Sequence, residues 1–385
     1  MATDPVPLWL DVDTAHLAPL QDAFALLIAA HDPNAKLLGV TTVHGNASLS
    51  NTTYNTRGIL EAIGRRDIVV YPGSAKPISR EAVHAADIHG ESGLDGVTLL
   101  PEPVQPVQPA AEDVDFLEKM YSALIATPVH TAWLVSTGTL TNIGLLFQRY
   151  PDLAEHIKGL SIMGGAIGGG FSDAPMGTVK GEGERFGNWT SFAEFNIYCD
   201  PEAAASLFTN PVLAPKTTLI PLDLTHQVLA TAPIRHKLLY GPSPPSSTTY
   251  PTALRALFTQ ILSFFAQTYA EVFALTAGPP LHDPLAVAAA LYPDLFDDAG
   301  GERFAVEIVT EGVHTDDRAA VGQLGRTKAA LLTVGEGGVR IPRTLKVFEF
   351  WSLIESALER ADVVSPMRAW PASKVQESGV LDTKA

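Results

Sequence analysis

Three aspartates near the start of the chain have the types and spacing to hold a hard cation. Asp11 and Asp13 close an apolar run that begins at Leu8, and Asp22 opens a second apolar run. Carboxylates gathered where strands end and helices begin are how an α/β fold builds an oxygen-lined cation site. The same residues also fit a plainer arrangement, with Asp22 as a helix N-cap and the other two as acids at a strand end. An apolar, proline-containing stretch separates Asp13 from Asp22, so the cluster is interrupted.

Other segments carry residue types suited to a polar pocket. Thr41-Thr42-Val43-His44-Gly45-Asn46 ends a β-rich run; Gly45 permits a sharp turn, and Asn46 offers both donor and acceptor. Ile88-His89-Gly90-Glu91-Ser92-Gly93 sets His89 and Glu91 among glycines, as a lid or a solvated loop would. In Ser136-Thr137-Gly138, a glycine at a strand-to-helix junction turns backbone groups toward a ligand, and Thr137 has a carbonyl oxygen to give. Asn188 precedes Ala193-Glu194-Phe195-Asn196. In an extended segment Glu194 and Asn196 point the same way, which suits the adjacent hydroxyls of a sugar or simply a half-exposed strand. His282-Asp283-Pro284 pairs a potential acid with a potential metal ligand, or makes Asp283 the N-cap of a helix with proline in its first turn.

These residues need a scaffold, and the pattern supplies one. Strand-like runs at residues 7–12, 36–43, 68–71, 131–136, 160–163 and 217–221 alternate with helix-like runs at 22–30, 50–64, 111–127, 140–150 and 201–208. Mostly apolar strands between helices indicate a sheet covered on both faces. The expected fold is α/β, an open, mainly parallel, doubly wound sheet in a single large domain. That domain is expected over residues 1–361, with a polar tail at 362–385. Residues 73–109, 164–188 and 241–249 are irregular and rich in proline, glycine or serine. There is no internal repeat.

Composition narrows the partners. A net charge of −16 argues against nucleic acid and anionic membrane, which need clustered Lys and Arg. The apolar run at 253–275 includes Arg255, Gln260, Gln267 and Glu271 and reads as a buried helix, not a membrane span. A single cysteine, Cys199, allows no internal disulfide and fits a reducing compartment. The first residues lack the basic and apolar regions of a secretory signal, so a cytoplasmic location is expected.

Taken in order, the motifs resemble those of the inosine–uridine preferring nucleoside hydrolases. The matching pieces are Leu-Asp-x-Asp, Asp-Ala-x-Ala, Thr-Thr-Val-x-Gly-Asn, Ile-His-Gly-Glu-Ser-Gly-Leu, Thr-Gly-x-Leu-Thr-Asn, Met-Gly-Gly, Ala-Glu-Phe-Asn, Asp-Leu-Thr-His and His-Asp-Pro. They run from about residue 8 to 290. The resemblance implies hydrolysis of the N-glycosidic bond of purine or pyrimidine ribonucleosides to ribose and free base, a salvage activity. It implies one Ca²⁺ held by Asp13, Asp22, the Thr137 carbonyl and Asp283, with Asp11 orienting them. Asp13 would be the general base for the attacking water. Asn46, Asn188, Glu194 and Asn196 would hold the ribose, with Phe195 packed nearby. His282 would help the base depart and His89 would close over it. It further implies a homodimer or homotetramer. All-oxygen ligands suit Ca²⁺ rather than zinc.

The chain departs from the family pattern Asp-x-Asp-Pro-Gly-x-Asp-Asp-Ala in one place. Thr14-Ala15 replaces Pro-Gly, Asp22 follows Asp13 by nine residues instead of five, and Gln21 holds the register of the first acid of the pair. Losing a charged hydrogen bond in a dry site costs roughly 1.5–3 kcal/mol. Three outcomes are open: an outward bulge that keeps Asp22 in register, a broken metal site that leaves a catalytically impaired nucleoside-binding homologue, or an error in the sequence at residues 14–21.

Overall fold

The computed structural model describes residues 4–14, 21–83, 99–104, 114–241, 251–315 and 321–369. His89, Glu91 and residues 15–20 of the lengthened connection lie outside them. Six strands form one parallel sheet: β1 (Val6–Val12), β2 (Ala35–Thr42), β3 (Val70–Pro72), β4 (Trp133–Ser136), β5 (Gly159–Met163) and β6 (Thr217–Ile220). Their order across the sheet is β3-β2-β1-β4-β5-β6. The order reverses between β1 and β4, so connections leave the two strands in opposite directions. A crevice opens at their carboxyl ends, the usual ligand position in such sheets. The expected parallel, doubly wound sheet is therefore the fold, in one domain.

The helices that matter to the crevice are α1 (Gln21–His31), α2 (Leu49–Ala62), α3 (Phe116–Ile125), α4 (Thr141–Arg149), α5 (Phe195–Cys199), α6 (Pro201–Phe208), α7 (Leu222–Thr225), α8 (Ala253–Phe273) and α9 (Pro284–Leu291). Every residue of α1 from Gln21 to Ala30 is buried. Its sequence, apolar on all sides, suits a helix wedged between the sheet, α9 and the C-terminal α10 (Val347–Val364). Phe24 meets Phe258 of α8 edge to face at 4.8 Å. α8 is the apolar run at 253–275, a buried helix as its sequence indicated. Among the described residues no helix is long and apolar enough to cross a membrane.

Two parts of the fold differ from the sequence reading. A hairpin of β7 (Phe304–Ile308) and β8 (Thr327–Leu331) stands apart from the main sheet, with β7 alternating buried and exposed. The boundary after residue 361 falls inside α10. Asp362 accepts from Thr252 and pairs with Arg255 at 2.7 Å, and Met367 is fully buried, so packed chain extends beyond that point.

Candidate active site

The crevice is built around Asp13, just past the end of β1. Asn46, on the loop after β2, grips its carboxylate twice: the backbone N–H donates to Oδ2 at 2.9 Å and the side-chain Nδ2 to Oδ1 at 2.9 Å. Two glycines admit it. A Cβ on Gly45 would lie 2.1 Å from Asp13 Oδ2, and one on Gly138 would lie 2.8 Å from Asp13 Cβ. Asp11, one pleat earlier, is tied beneath by the Thr41 hydroxyl at 2.5 Å and Asn142 Nδ2 at 2.8 Å. Trp9 Nε1 donates in turn to Thr41. Asp11 thus holds β1, β2 and the start of α4 in register.

Asp22 reaches the same place despite the longer connection. It lies inside the first turn of α1 and is not an N-cap, and Thr137 Oγ1 donates to its Oδ1 at 2.5 Å. The Thr137 backbone N–H donates to the Asp11 carbonyl at 2.9 Å, so one threonine joins β1, α1 and the end of β4. Gln21 does not face outward as a substitute acid. It is 1% exposed, with Nε2 donating to the Pro280 carbonyl at 3.2 Å and Oε1 accepting from the His282 backbone N–H.

That strap leads to His282 and Asp283. Asp283 stands at the N-cap position of α9, yet its side chain makes no capping hydrogen bond. His282 Nε2 is 2.8 Å from the Tyr269 hydroxyl, and Nδ1 is 2.6 Å from Thr225 Oγ1. The Thr225 hydroxyl also lies 3.4 Å from the Leu222 carbonyl. Each ring nitrogen of His282 thus faces one hydroxyl, and either neutral tautomer satisfies both contacts. Burial, with His226 nearby, holds the His282 pKa well below its ordinary value, so the ring is neutral. His226 lies 5.4 Å away, ring centre to ring centre, and donates from Nδ1 to Pro175 at 2.7 Å. Sequence reading missed Tyr269, and quoted Thr225 and His226 only within the Asp-Leu-Thr-His motif, without a role. Tyr269 is one aromatic in a continuous apolar run, and nothing in its spacing separates it from core packing.

The residues expected at the sugar are present but engaged with one another. Glu194 and Asn196 do not share an extended strand, because Glu194 caps α5. Its carboxylate accepts from the N–H groups of Asn196, Ile197 and Gly165 at 2.9–3.1 Å. Asn196 Nδ2 donates to the Thr137 carbonyl at 2.9 Å, and Asn188 Oδ1 accepts from Phe195 N at 2.9 Å. Phe195 is buried and tilted against Trp189. Asp223 of α7 accepts from Ile167 and Gly168 and so fixes the glycine-rich loop beside them.

The electrostatics are those of crowded acids. Burial raises the pKa of Asp11 and of Asp22 to about 7 each, against the hydroxyl and amide hydrogen bonds they accept. Burial, then the charge of Asp22, raises Asp13 well above the carboxylate range. Asp283 rises for the same reasons, with Asp22 and Asp13 both contributing, and burial raises Glu194. Oδ2 of Asp11, of Asp22 and of Asp283 is buried with no hydrogen-bond partner among the described residues. Buried carboxylates without cations or donors are costly by several kcal/mol each. Among the described residues no three His, Cys, Asp or Glu side chains form a ready metal cage. The donor set nevertheless fits a hard cation in chemistry: all oxygen, with orphaned carboxylate atoms and mutual repulsion that positive charge would relieve.

The fold and this acid-lined crevice define a class: α/β proteins whose ligand crevice opens at the carboxyl ends of a parallel sheet. The family model for the inosine-uridine preferring nucleoside hydrolase matches residues 8–352. The uridine nucleosidase of Saccharomyces cerevisiae is 33% identical over 95% of this chain and 99% of its own length. The pyrimidine-specific ribonucleoside hydrolase RihA of Escherichia coli K12 is 33% identical over 82% of this chain and 88% of its own. Among solved structures, the purine-preferring ribonucleoside hydrolase from Gardnerella vaginalis superposes with a TM-score of 0.71 at 23% identity, covering 93% of this chain and 99% of that one. The chain belongs to the inosine–uridine preferring nucleoside hydrolase family. It is an N-glycosyl hydrolase of small-molecule ribonucleosides.

Proposed function

We propose that the chain hydrolyses uridine and related ribonucleosides with one Ca²⁺ held by Asp13, Asp22, the Thr137 carbonyl and Asp283. The observation that carries this reading is the set of buried, mutually repelling carboxylates around Thr137 at the β1/β4 crevice. The relative named a uridine nucleosidase supports uridine as the first substrate to test. When bound, the cation would lower the pKa of an attacking water and neutralise the acid cluster.

The chain's own residues then do the rest. Asp13, oriented by both donors of Asn46, takes the proton from the attacking water. Asn46 keeps its grip on Asp13 and offers its side-chain oxygen to the ribose, while Asn188, Glu194 and Asn196 exchange internal hydrogen bonds for ribose hydroxyls and Phe195 packs beside the sugar. Hydrogen bonds that tighten at an oxocarbenium-like state lower the barrier more than they tighten substrate binding. The leaving base needs a proton or a hydrogen bond. His282 is neutral, so it serves as one half of a hydroxyl–imidazole pair with Tyr269 rather than as a standing acid. His89 closes over the base in this reading. Gln21, engaged with Pro280 and His282, leaves the sugar one charged partner short of the family pattern.

We also read the protein as a cytoplasmic homodimer or homotetramer whose catalytic domain spans most of the chain, consistent with its single, buried cysteine. Incubation of purified protein with uridine and inosine, with Ca²⁺ or with EDTA, and quantification of ribose tests the reading. Ribose that appears only with Ca²⁺ supports it. No ribose, with no Ca²⁺ uptake in calorimetry, rejects it in favour of a nucleoside-binding homologue.

A further inference from the structure

Gln21 occupies the register where the family carries an acid, and its absence as an acid reads first as a loss. Its surroundings give it a different task. The amide is buried, and both of its ends are used on the same distant segment, the turn before α9. Nε2 donates to the Pro280 carbonyl, while Oε1 accepts from the His282 N–H. Gln21 directly precedes Asp22, and His282 directly precedes Asp283. One side chain thus bridges the backbones that carry two of the proposed cation ligands.

Only an amide meets both demands at once. A carboxylate at this position would accept from the His282 N–H but would set a second acceptor against the Pro280 carbonyl. An apolar residue of the same length would leave the N–H and the C=O unsatisfied in a dry site. The strap is not what keeps α1 in place. The helix is buried along its length from Gln21 to Ala30, and Phe24 is wedged against Phe258. What the strap adds is the relation between the first turn of α1 and the turn before α9.

We infer that Gln21 is a positioning residue that sets the separation of Asp22 and Asp283, and thereby the cation affinity of the site. In this chain a sugar-facing acid has been exchanged for a ligand-spacing amide. The inference rests on the proposed function, in which Asp22 and Asp283 share a cation. It also makes an unusual statement about reversion: restoring the family's acid at this position harms the site.

The test compares the full-length protein with Gln21→Glu and Gln21→Met. Four quantities are measured: Ca²⁺ affinity by calorimetry, kcat and KM for uridine, melting temperature in EDTA, and amide exchange at His282 in metal-free protein. Both variants should bind Ca²⁺ roughly tenfold or more weakly, Gln21→Met from two lost hydrogen bonds and Gln21→Glu from one lost bond and an acceptor set against the Pro280 carbonyl. They should lose kcat more than KM, and His282 should exchange faster. Melting in EDTA should move by only a few degrees, because burial holds α1. Gln21→Glu with wild-type or higher Ca²⁺ affinity and kcat would overturn the inference. So would Gln21→Met with lower melting temperature but unchanged Ca²⁺ affinity, since that is a merely structural role. Wild-type protein that takes up no Ca²⁺ would instead overturn the underlying site reading, and the spacing role with it.

Discussion

Gly138 offers a direct perturbation of the proposed general base, because the space its missing side chain leaves is occupied by Asp13. A Cβ built on Gly138 would lie 2.8 Å from Asp13 Cβ, 2.9 Å from its Cγ and 2.9 Å from its backbone N. Carbon atoms in contact settle near 3.5–4.0 Å, so about 0.5–1 Å of movement is required. The backbone of Gly138 is not in the left-handed region, so alanine is not strained there and space alone decides the outcome. β1 is fixed by pairing on both sides, and the carboxylate is gripped by Asn46. The movement therefore passes to the Asp13 side chain or to the turn bearing Thr137. A displacement near 1 Å costs about 10²-fold in rate, and overpacking costs roughly 1–3 kcal/mol of stability. Gly138→Ala should accordingly melt cooperatively, a few degrees low, and release ribose from uridine about 10²-fold more slowly. Activity within twofold of wild type in folded protein would refute the geometry assigned to Asp13.

Three further outcomes are expected. Tyr269→Phe should lower kcat by roughly 10-fold or more with little change in KM, because it removes the hydroxyl from the pair with His282; unchanged kcat for uridine and inosine would exclude the pair from base departure. Arg255→Met should destabilise the fold by about 3–5 kcal/mol in urea denaturation, because it leaves the acids of Glu355 and Asp362 without their shared cation. Burial lowers the pKa of His31 to about 4, against its hydrogen bond to Ile63 and with Arg65, Arg360 and Asp67 around it. The folded protein thus binds this proton less readily than the unfolded chain. The contribution of His31 is full above about pH 6.5 and is lost as pH drops toward 4, by roughly 2 kcal/mol after solvent screening. Denaturation of wild type and His31→Gln across that range should differ by this contribution, over the pH dependence that the buried acids and His226 give to both.

Much of the scaffold was legible because its strands are short, apolar and bounded by turn residues, and the crevice follows from strand order. The β7–β8 hairpin was not. Its first strand alternates buried and exposed but its second does not, and residues 309–326 separate them with no tight-turn motif between. The acids of the site were legible as acids at element ends; their convergence depends on pairings more than a hundred residues apart, such as Thr137 with Asp22. Glu194 was legible as a carboxylate beside an amide but not as a helix cap, since α5 is a five-residue helix without periodicity. The partners of His282 were not legible as partners, because Tyr269 looks like a core residue and Thr225 stood in a quoted motif with nothing to link it to His282. Gln21 was legible only as a missing charge, because the partner of an amide is a fact of tertiary structure.

The central claim is that Asp13, Asp22, Thr137 and Asp283 hold one Ca²⁺ that the hydrolysis requires. The most direct measurement is calorimetric titration of EDTA-stripped protein with Ca²⁺, run in parallel with ribose release from uridine, for wild type and Asp283→Asn. The account predicts one Ca²⁺ bound per chain in wild type, activity rising along the same isotherm, and both lost together in Asp283→Asn. Ribose release that persists in EDTA, or Ca²⁺ binding that Asp283→Asn leaves unchanged, would contradict it.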